Sequence, residues 1–227
     1  RLAKLKGCTI ENPKFGLSSN EYGCDSSKKV IYKGVSSIKD MQSTIGDELY
    51  KLSQKKKYNN FLSLLFDIKT KTSCNKTSLD ILINLDYFSD FGDINYLLNV
   101  VKYYNKYIDN GNFGKTKRKQ FRVADLDDVK KYYPFEKETI LKFKTEESKN
   151  GNTIYVSQEN MYKLIVYLCS KLKKNTTTLY DKITYEATLL GYVSITSSDS
   201  PYWAVTNVDV NQYGTPFASL YRVSEGL

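Results

Sequence analysis

The chain contains no histidine, and that absence removes much acid–base and hydrolytic chemistry before any motif is considered. Imidazole is the side chain that titrates near neutral pH, so serine or cysteine nucleophiles served by a histidine base, and histidine metal sites, are excluded. Cysteine is scarce as well. Cys8, Cys24, Cys74 and Cys169 share no CxxC spacing, so a zinc site would need all four thiolates from scattered places. Free thiols in a reducing cytoplasm are the expectation. No stretch approaches the roughly 20 apolar residues that cross a bilayer, so a soluble chain with no membrane partner is expected. Glycine-rich phosphate loops of the Walker or dinucleotide type are missing too. Arg1-Leu2-Ala3-Lys4 offers neither an initiator methionine nor a signal-type apolar core, which reads as a piece of something longer.

What is present is positive charge and enough apolar material for real cores. The 227 residues, 41% hydrophobic, allow one to three compact modules. Lys and Arg number 34 against 25 Asp and Glu, a formal charge of +9 with no long block of one sign. A dispersed excess of this size attracts polyanions such as nucleic acid. The same numbers arise from heavy lysine use in an AT-rich genome, where Asn, Tyr and Ile also run high. Charge alone leaves both readings open.

Along the chain, periodicity predicts a mainly α protein of α+β type. Residues 1–30 begin with a short helix end and turn irregular at Asn12-Pro13, because proline biases its predecessor to extended geometry. Residues 31–110 read as a helical region with two helix, hairpin, helix units, over 31–51 and 78–103. In the first, Ser36 or Ser37 caps one short helix and Thr44 the next, with residues 39–42 as the hairpin. In the second, the hairpin is residues 90–93, where Gly92 suits a positive φ. Residues 111–122 read as a basic linker. A mixed helical region follows over 123–195, including a clean amphipathic helix over 160–171. Residues 196–227 alternate as two strands of a β-hairpin.

The spelling of these units resembles the C-family replicative DNA polymerases, the family of the bacterial DNA polymerase III alpha subunit. Gly34, Val35, Ser36, Ser37, Ile38 and Lys39 match its G-L-S-x-I-K-G-[VI]-G signature, and Gly7, Ile10, Pro13 and Ser18 loosely follow the passage ahead of it. Leu79, Leu82, Ile83, Tyr87, Phe88, Ser89, Asp90, Phe91 and Gly92 are similar to its L-x-x-L-I-x-x-G-A-F-D-S-[FL]-G segment. Glu186, Leu189, Leu190, Gly191, Tyr192 and Ser194 resemble its E-x-x-x-L-G-[FY] helix end, without the His-Pro-Leu that follows there. The resemblance implies that residues 1–30 are a distal fingers segment and 31–110 a helix-hairpin-helix DNA-binding region. It further implies that 196–227 begin an OB-like fold. The parent would be a Mg²⁺-dependent nucleotidyltransferase working in replication in the cytoplasm of a bacterial or phage-infected cell, beside a sliding clamp or other replisome proteins. The catalytic aspartates of that family lie upstream of the passage matched, so this portion is expected to hold duplex or primer-template DNA without catalysis, cofactor or metal of its own.

A helix-hairpin-helix grips a phosphate with backbone N–H groups and a helix N-terminus. Candidate DNA contacts are therefore Lys33, Gly34, Ser36, Ser37, Lys39 and Gln42 at the first hairpin, with Lys55, Lys56 and Lys57 nearby. Asp40 and Gln42 stand where the family has glycines, and Asp40 would repel a phosphate. The second hairpin, with Asp86, Asp90 and Asp93, reads as mainly structural. Lys115, Lys117, Arg118, Lys119 and Arg122 make the densest basic run, either neutralising phosphates or lying solvated in a linker. Tyr103, Tyr104, Tyr107, Tyr132 and Tyr133 are candidates for base stacking or for the core. Asp125, Asp127 and Asp128 together suggest a two-metal centre, but Asp127 and Asp128 suit the N-terminal turn of a helix from Val129, and the metal reading is rejected. A non-enzymatic helical adaptor binding a protein is the alternative from a different class.

Overall fold

The computed structural model describes residues 7–109, 118–132, 137–171, 176–195 and 203–224. The chain divides into two compact units, Arg1–Ile94 with Thr176–Leu227, and Asn95–Asn175. As the α+β reading expects, helices and strands are mixed, with three small sheets among the described residues.

The first unit opens with strands β1 (Thr9–Glu11), β2 (Gly23–Asp25) and β3 (Val30–Tyr32), ordered β1-β3-β2, β1 parallel and β2 antiparallel to β3. Asp25 makes the reversal between β2 and β3, its Oδ1 accepting from the Ser27 and Lys28 amides. The sheet occupies the segment that the sequence assigns to irregular chain and a first helix. Residues 31–38 are the end of β3 and one 3₁₀ turn, Val35–Ser37, because the β-branched pair Val30-Ile31 and the glycine at 34 favour extended chain over helix. The second half of the predicted pair does form: α1 (Ile45–Lys55) buries Ile45, Leu49 and Leu52 at helical spacing.

Two asparagine-capped helices follow. In α2 (Phe61–Lys71) the Asn60 side chain accepts from the Ser63 amide, and in α3 (Lys76–Asn84) Asn75 does the same for Ser78, each at 2.9 Å. Phe61, Leu64, Leu65 and Ile68 of α2, and Leu79, Leu82 and Ile83 of α3, are buried. An aromatic cluster closes this core. Phe88 lies 4.9 Å from Tyr87, 5.4 Å from Phe61 and 5.7 Å from Phe15, ring centre to ring centre. A second 3₁₀ turn, Ser89–Phe91, ends on Gly92 with φ 147°, a conformation that disfavours any side chain.

The second unit contains most of α4 (Ile94–Tyr104), which runs on as a π turn over Asn105–Asp109. Next come β4 (Arg118–Arg122), α5 (Val123–Tyr132), α6 (Lys137–Leu141), β5 (Glu146–Glu147), β6 (Thr153–Ser157) and α7 (Gln158–Lys171). The three strands form an antiparallel sheet ordered β4-β6-β5. Ile154 and Val156 of β6 are buried, as are Met161, Leu164, Ile165 and Leu168, the apolar face predicted for this helix.

In the first unit again, α8 (Leu179–Leu190) starts at a capping box formed by Thr178 and Asp181. It carries Glu186, 3% exposed. That carboxylate accepts from the amides of Ser194 (2.6 Å) and Ile195 (3.1 Å), from the Ser194 hydroxyl (2.9 Å), and from the Asn12 side-chain amide. One buried acid thus ties the segment after β1 to the end of α8. β7 (Trp203–Val210) and β8 (Pro216–Arg222) pair as an antiparallel hairpin anchored at one end, where Tyr221 and Val223 pack with Ile183.

Removing the Glu186 carboxylate takes the shared acceptor from four donors that are half-buried or exposed, each hydrogen bond contributing about 1 kcal/mol net. Glu186→Ala is therefore expected to lower stability by about 3 kcal/mol or more in urea unfolding, and Glu186→Gln, which keeps an acceptor, by less. An unchanged midpoint in Glu186→Ala would contradict this role.

Candidate nucleic-acid interface

The turn carrying Gly34, Ser36 and Ser37 is built against Asn20. The Val35 amide donates to Ser19 O at 2.9 Å, and the Ser36 amide and hydroxyl both donate to Asn20 O, at 3.3 and 2.5 Å. The Asn20 side chain accepts from the Gly46 amide at 3.1 Å, and its backbone N–H donates to Asp47 at 3.1 Å. A Cβ on Gly34 would stand 2.0 Å from Asn20 O, and one on Gly46 would stand 2.5 Å from Asn20 Oδ1. These glycines let two stretches of backbone meet. The Ser37 hydroxyl donates to Gly34 O at 2.7 Å, so both serine hydroxyls of the predicted hairpin are committed within the chain.

Lys33 is half-buried. Its ammonium donates to the Tyr192 hydroxyl at 2.6 Å and to Asn12 at 3.4 Å. Burial pushes its pKa down, against the opposing pull of the Glu186 carboxylate. Lys33 therefore belongs to the Glu186 network rather than to an open surface. Lys39 and Gln42 are exposed on the turn that follows. Asp40, between them, has φ 59°, the left-handed conformation that glycine adopts freely and aspartate tolerates.

Lys51, Lys55, Lys56 and Lys57 are exposed along the second half of α1 and the turn after it. The sequence picks out the last three but not what lies beneath them. Asp67 of α2, 4% exposed, accepts from the Tyr58 hydroxyl at 2.8 Å and pairs with Lys71 at 2.8 Å and Lys56 at 3.6 Å. Burial raises the Asp67 pKa, but the hydrogen bonds from Lys71 and Tyr58 and the two ammonium charges outweigh it and hold the carboxyl below its ordinary value. The legible trace in the sequence is the i,i+4 pair Asp67 and Lys71.

The acidic residues at the second predicted hairpin are all engaged internally. Asp86 pairs with Lys182, Asp90 with Lys14 at 2.7 Å, and Asp93 accepts from the Thr177 amide and hydroxyl at 3.1 and 3.0 Å. They hold the first unit together, in keeping with a structural reading.

In the second unit the basic run is not a continuous linker. Residues 118–122 are β4, while Lys115 and Lys117 lie outside the described residues. Arg118 pairs with Glu146 at 2.5 Å and stacks 4.1 Å over Tyr155. Lys119 is half-buried and donates to Lys106 O at 2.8 Å, its pKa pushed down by burial and then by the Lys106 charge. Strand alternation turns Phe121 and Lys119 to the same side and leaves Arg122 exposed. Tyr103, Tyr104 and Tyr107 are buried in the core. Tyr133 lies outside the described residues. Asp125 accepts from the Arg122 amide at 3.2 Å and Asp127 pairs with Lys137 at 3.2 Å, on a helix that begins at Val123 rather than 129.

Among the candidate residues, then, the turn with Lys39 and Gln42 and the cluster of Lys55, Lys56 and Lys57 present exposed side chains in the first unit. Lys33, Gly34, Ser36, Ser37 and Lys119 serve the scaffold. The chain matches no protein-family model, and no curated protein shows significant similarity to it.

Asp40→Gly is expected to raise stability by roughly 0.5–1 kcal/mol, because the left-handed backbone costs glycine nothing. Calorimetry reads this as an upward shift of the thermal midpoint. A fall in midpoint would mean that the aspartate side chain supports the turn.

Proposed function

We propose that this chain is the duplex-holding region of a C-family-like replicative DNA polymerase, binding the phosphate backbone without reading sequence. The observation that carries the proposal is the exposed lysine cluster at 51, 55, 56 and 57, beside a turn bearing Lys39, in a unit whose hairpin acids Asp86, Asp90 and Asp93 are bonded internally, the first two to lysines. Ammonium groups on flexible stems neutralise phosphates and release counterions, and they carry no base-specific geometry. A lysine in the last turn of a helix also complements the helix dipole, which accounts for Lys55 alone. It does not account for Lys56 and Lys57, which lie beyond the helix.

On this reading the first unit supplies the distal fingers and helix-hairpin-helix grip, in modified form. A strand and one 3₁₀ turn replace the first helix, and side chains replace the missing glycine amides. The hairpin of β7 and β8 would be the first strands of an OB-like barrel. The parent enzyme would supply the catalytic aspartates and Mg²⁺ and transfer deoxynucleotides in the cytoplasm of a bacterial or phage-infected cell, beside a sliding clamp. This portion binds and does not catalyse.

The adaptor reading keeps one specific observation in its favour. Trp203, Val205, Val208, Val210, Phe217 and Leu220 of the hairpin are all exposed, and apolar side chains concentrated on one two-stranded ribbon fit a protein partner.

Salt dependence separates the two. With about four phosphates neutralised, the logarithm of the DNA association constant is expected to fall with the logarithm of salt at a slope near −3.6, about −0.9 per phosphate. Lys39→Glu and a Lys55→Glu/Lys57→Glu pair should each weaken binding several-fold with little change in thermal midpoint, since exposed lysines add little to stability. Binding insensitive to salt, or unaffected by these charge reversals, would favour the adaptor.

A further inference from the structure

Helices α1 and α2 and the turn between them line a half-open cleft of about 320 Å³. That is the lower end of the range in which proteins hold small ligands. Lys51 and Lys55 reach it from successive turns of α1, Lys56 from the turn and Lys71 from the end of α2. Four lysines from α1, the turn after it and α2 thus line the cleft.

The carboxylates along its wall are already committed. Glu48 Oε2 accepts from the Ser73 amide at 2.7 Å and its hydroxyl at 2.9 Å. Asp67 is held by Tyr58, Lys71 and Lys56 as described above. Four lysines against these two acids leave a net positive charge in a concave site, where low-dielectric walls strengthen attraction for an anion. The pinning of Lys56 and Lys71 on Asp67, with Lys56 also 4.8 Å over the Tyr58 ring, fixes part of the donor set in advance. Leu52 and Tyr58 supply an apolar patch beside it.

A tetrahedral oxyanion suits this arrangement better than a carboxylate, because its several oxygens accept from lysines on different sides, and lysine serves such groups as a point charge. We propose that the cleft is a pocket for one phosphate group of a polynucleotide. The source of that phosphate rests on the nucleic-acid reading above; the anion site itself rests on the geometry. Either an internal diester or a terminal phosphomonoester presents the required chemistry.

The test uses the whole chain with inorganic phosphate as probe, read by the ³¹P resonance and by the thermal midpoint. Phosphate is expected to bind and to raise the midpoint. Lys51→Gln/Lys55→Gln, which leaves the Asp67 pairs intact, should weaken phosphate at least fivefold. Should that pair fold poorly, Lys55→Gln alone, at an exposed helix end, gives the same comparison with a smaller loss. Bound phosphate is then challenged with one duplex carrying either 5′-phosphate or 5′-hydroxyl ends. Displacement by the phosphorylated duplex alone identifies a terminal monoester, and equal displacement by both identifies the backbone; either supports the pocket. Absence of phosphate binding, or unchanged affinity in the variants, overturns the pocket even where salt-dependent DNA binding persists. Phosphate held and displaced by neither duplex, with no DNA binding at any salt, overturns the polynucleotide source and the nucleic-acid reading together.

Discussion

The first unit depends on one buried acid. Glu186 has its two oxygens filled by two amides, a hydroxyl and a carboxamide from segments far apart in sequence. An ionised carboxylate in the interior is tolerated only when its hydrogen bonds are satisfied, and it then fixes its donors in place. Asn12 sits on the segment that follows β1, and Lys33 follows β3 directly, so the anchor reaches the sheet from which the Gly34–Ser37 turn departs. Around the same acid, Lys33 and Tyr192 complete a polar network that takes a lysine out of the solvent-facing set.

From that anchor the distribution of charge follows. The acids at 86, 90 and 93 face partners in the same unit and serve cohesion. The lysines after α1 face outward, with one buried acid, Asp67, holding two cationic neighbours in register. Around residues 51–57 exposed lysines outnumber the acids without forming a long basic block, which is the form of charge that the proposed backbone grip requires.

How far this was legible in the sequence varied with the kind of signal. Helical spacing located α1 and α7, because an apolar face packed on a core leaves a repeating mark, whereas α3 was read as part of the second hairpin unit and the end of α8 from the resemblance. Alternation located the β7 and β8 hairpin. The sheet of β1, β2 and β3 was missed, since three-residue strands are too short for a period to show, and Ile31 looks alike in helix and strand. The resembling motifs mark scaffold more than surface: Tyr87 and Phe88 are core, Gly34 is a backbone contact, and Glu186 is the anchor. Lys119 was read as part of a linker because charge dominates the run, whereas strand alternation carries it inward beside Phe121. Asp67 and its lysines were invisible as a group because the pairing joins α2 to the turn before it.

Amide chemical shifts of the labelled chain, followed while a short duplex is added, bear most directly on the proposed grip. The account predicts perturbations concentrated at residues 34–42 and 51–57, fading as salt is raised, with residues 86–93 and the hairpin of β7 and β8 quiet. Perturbations at the hairpin with residues 51–57 silent would contradict it.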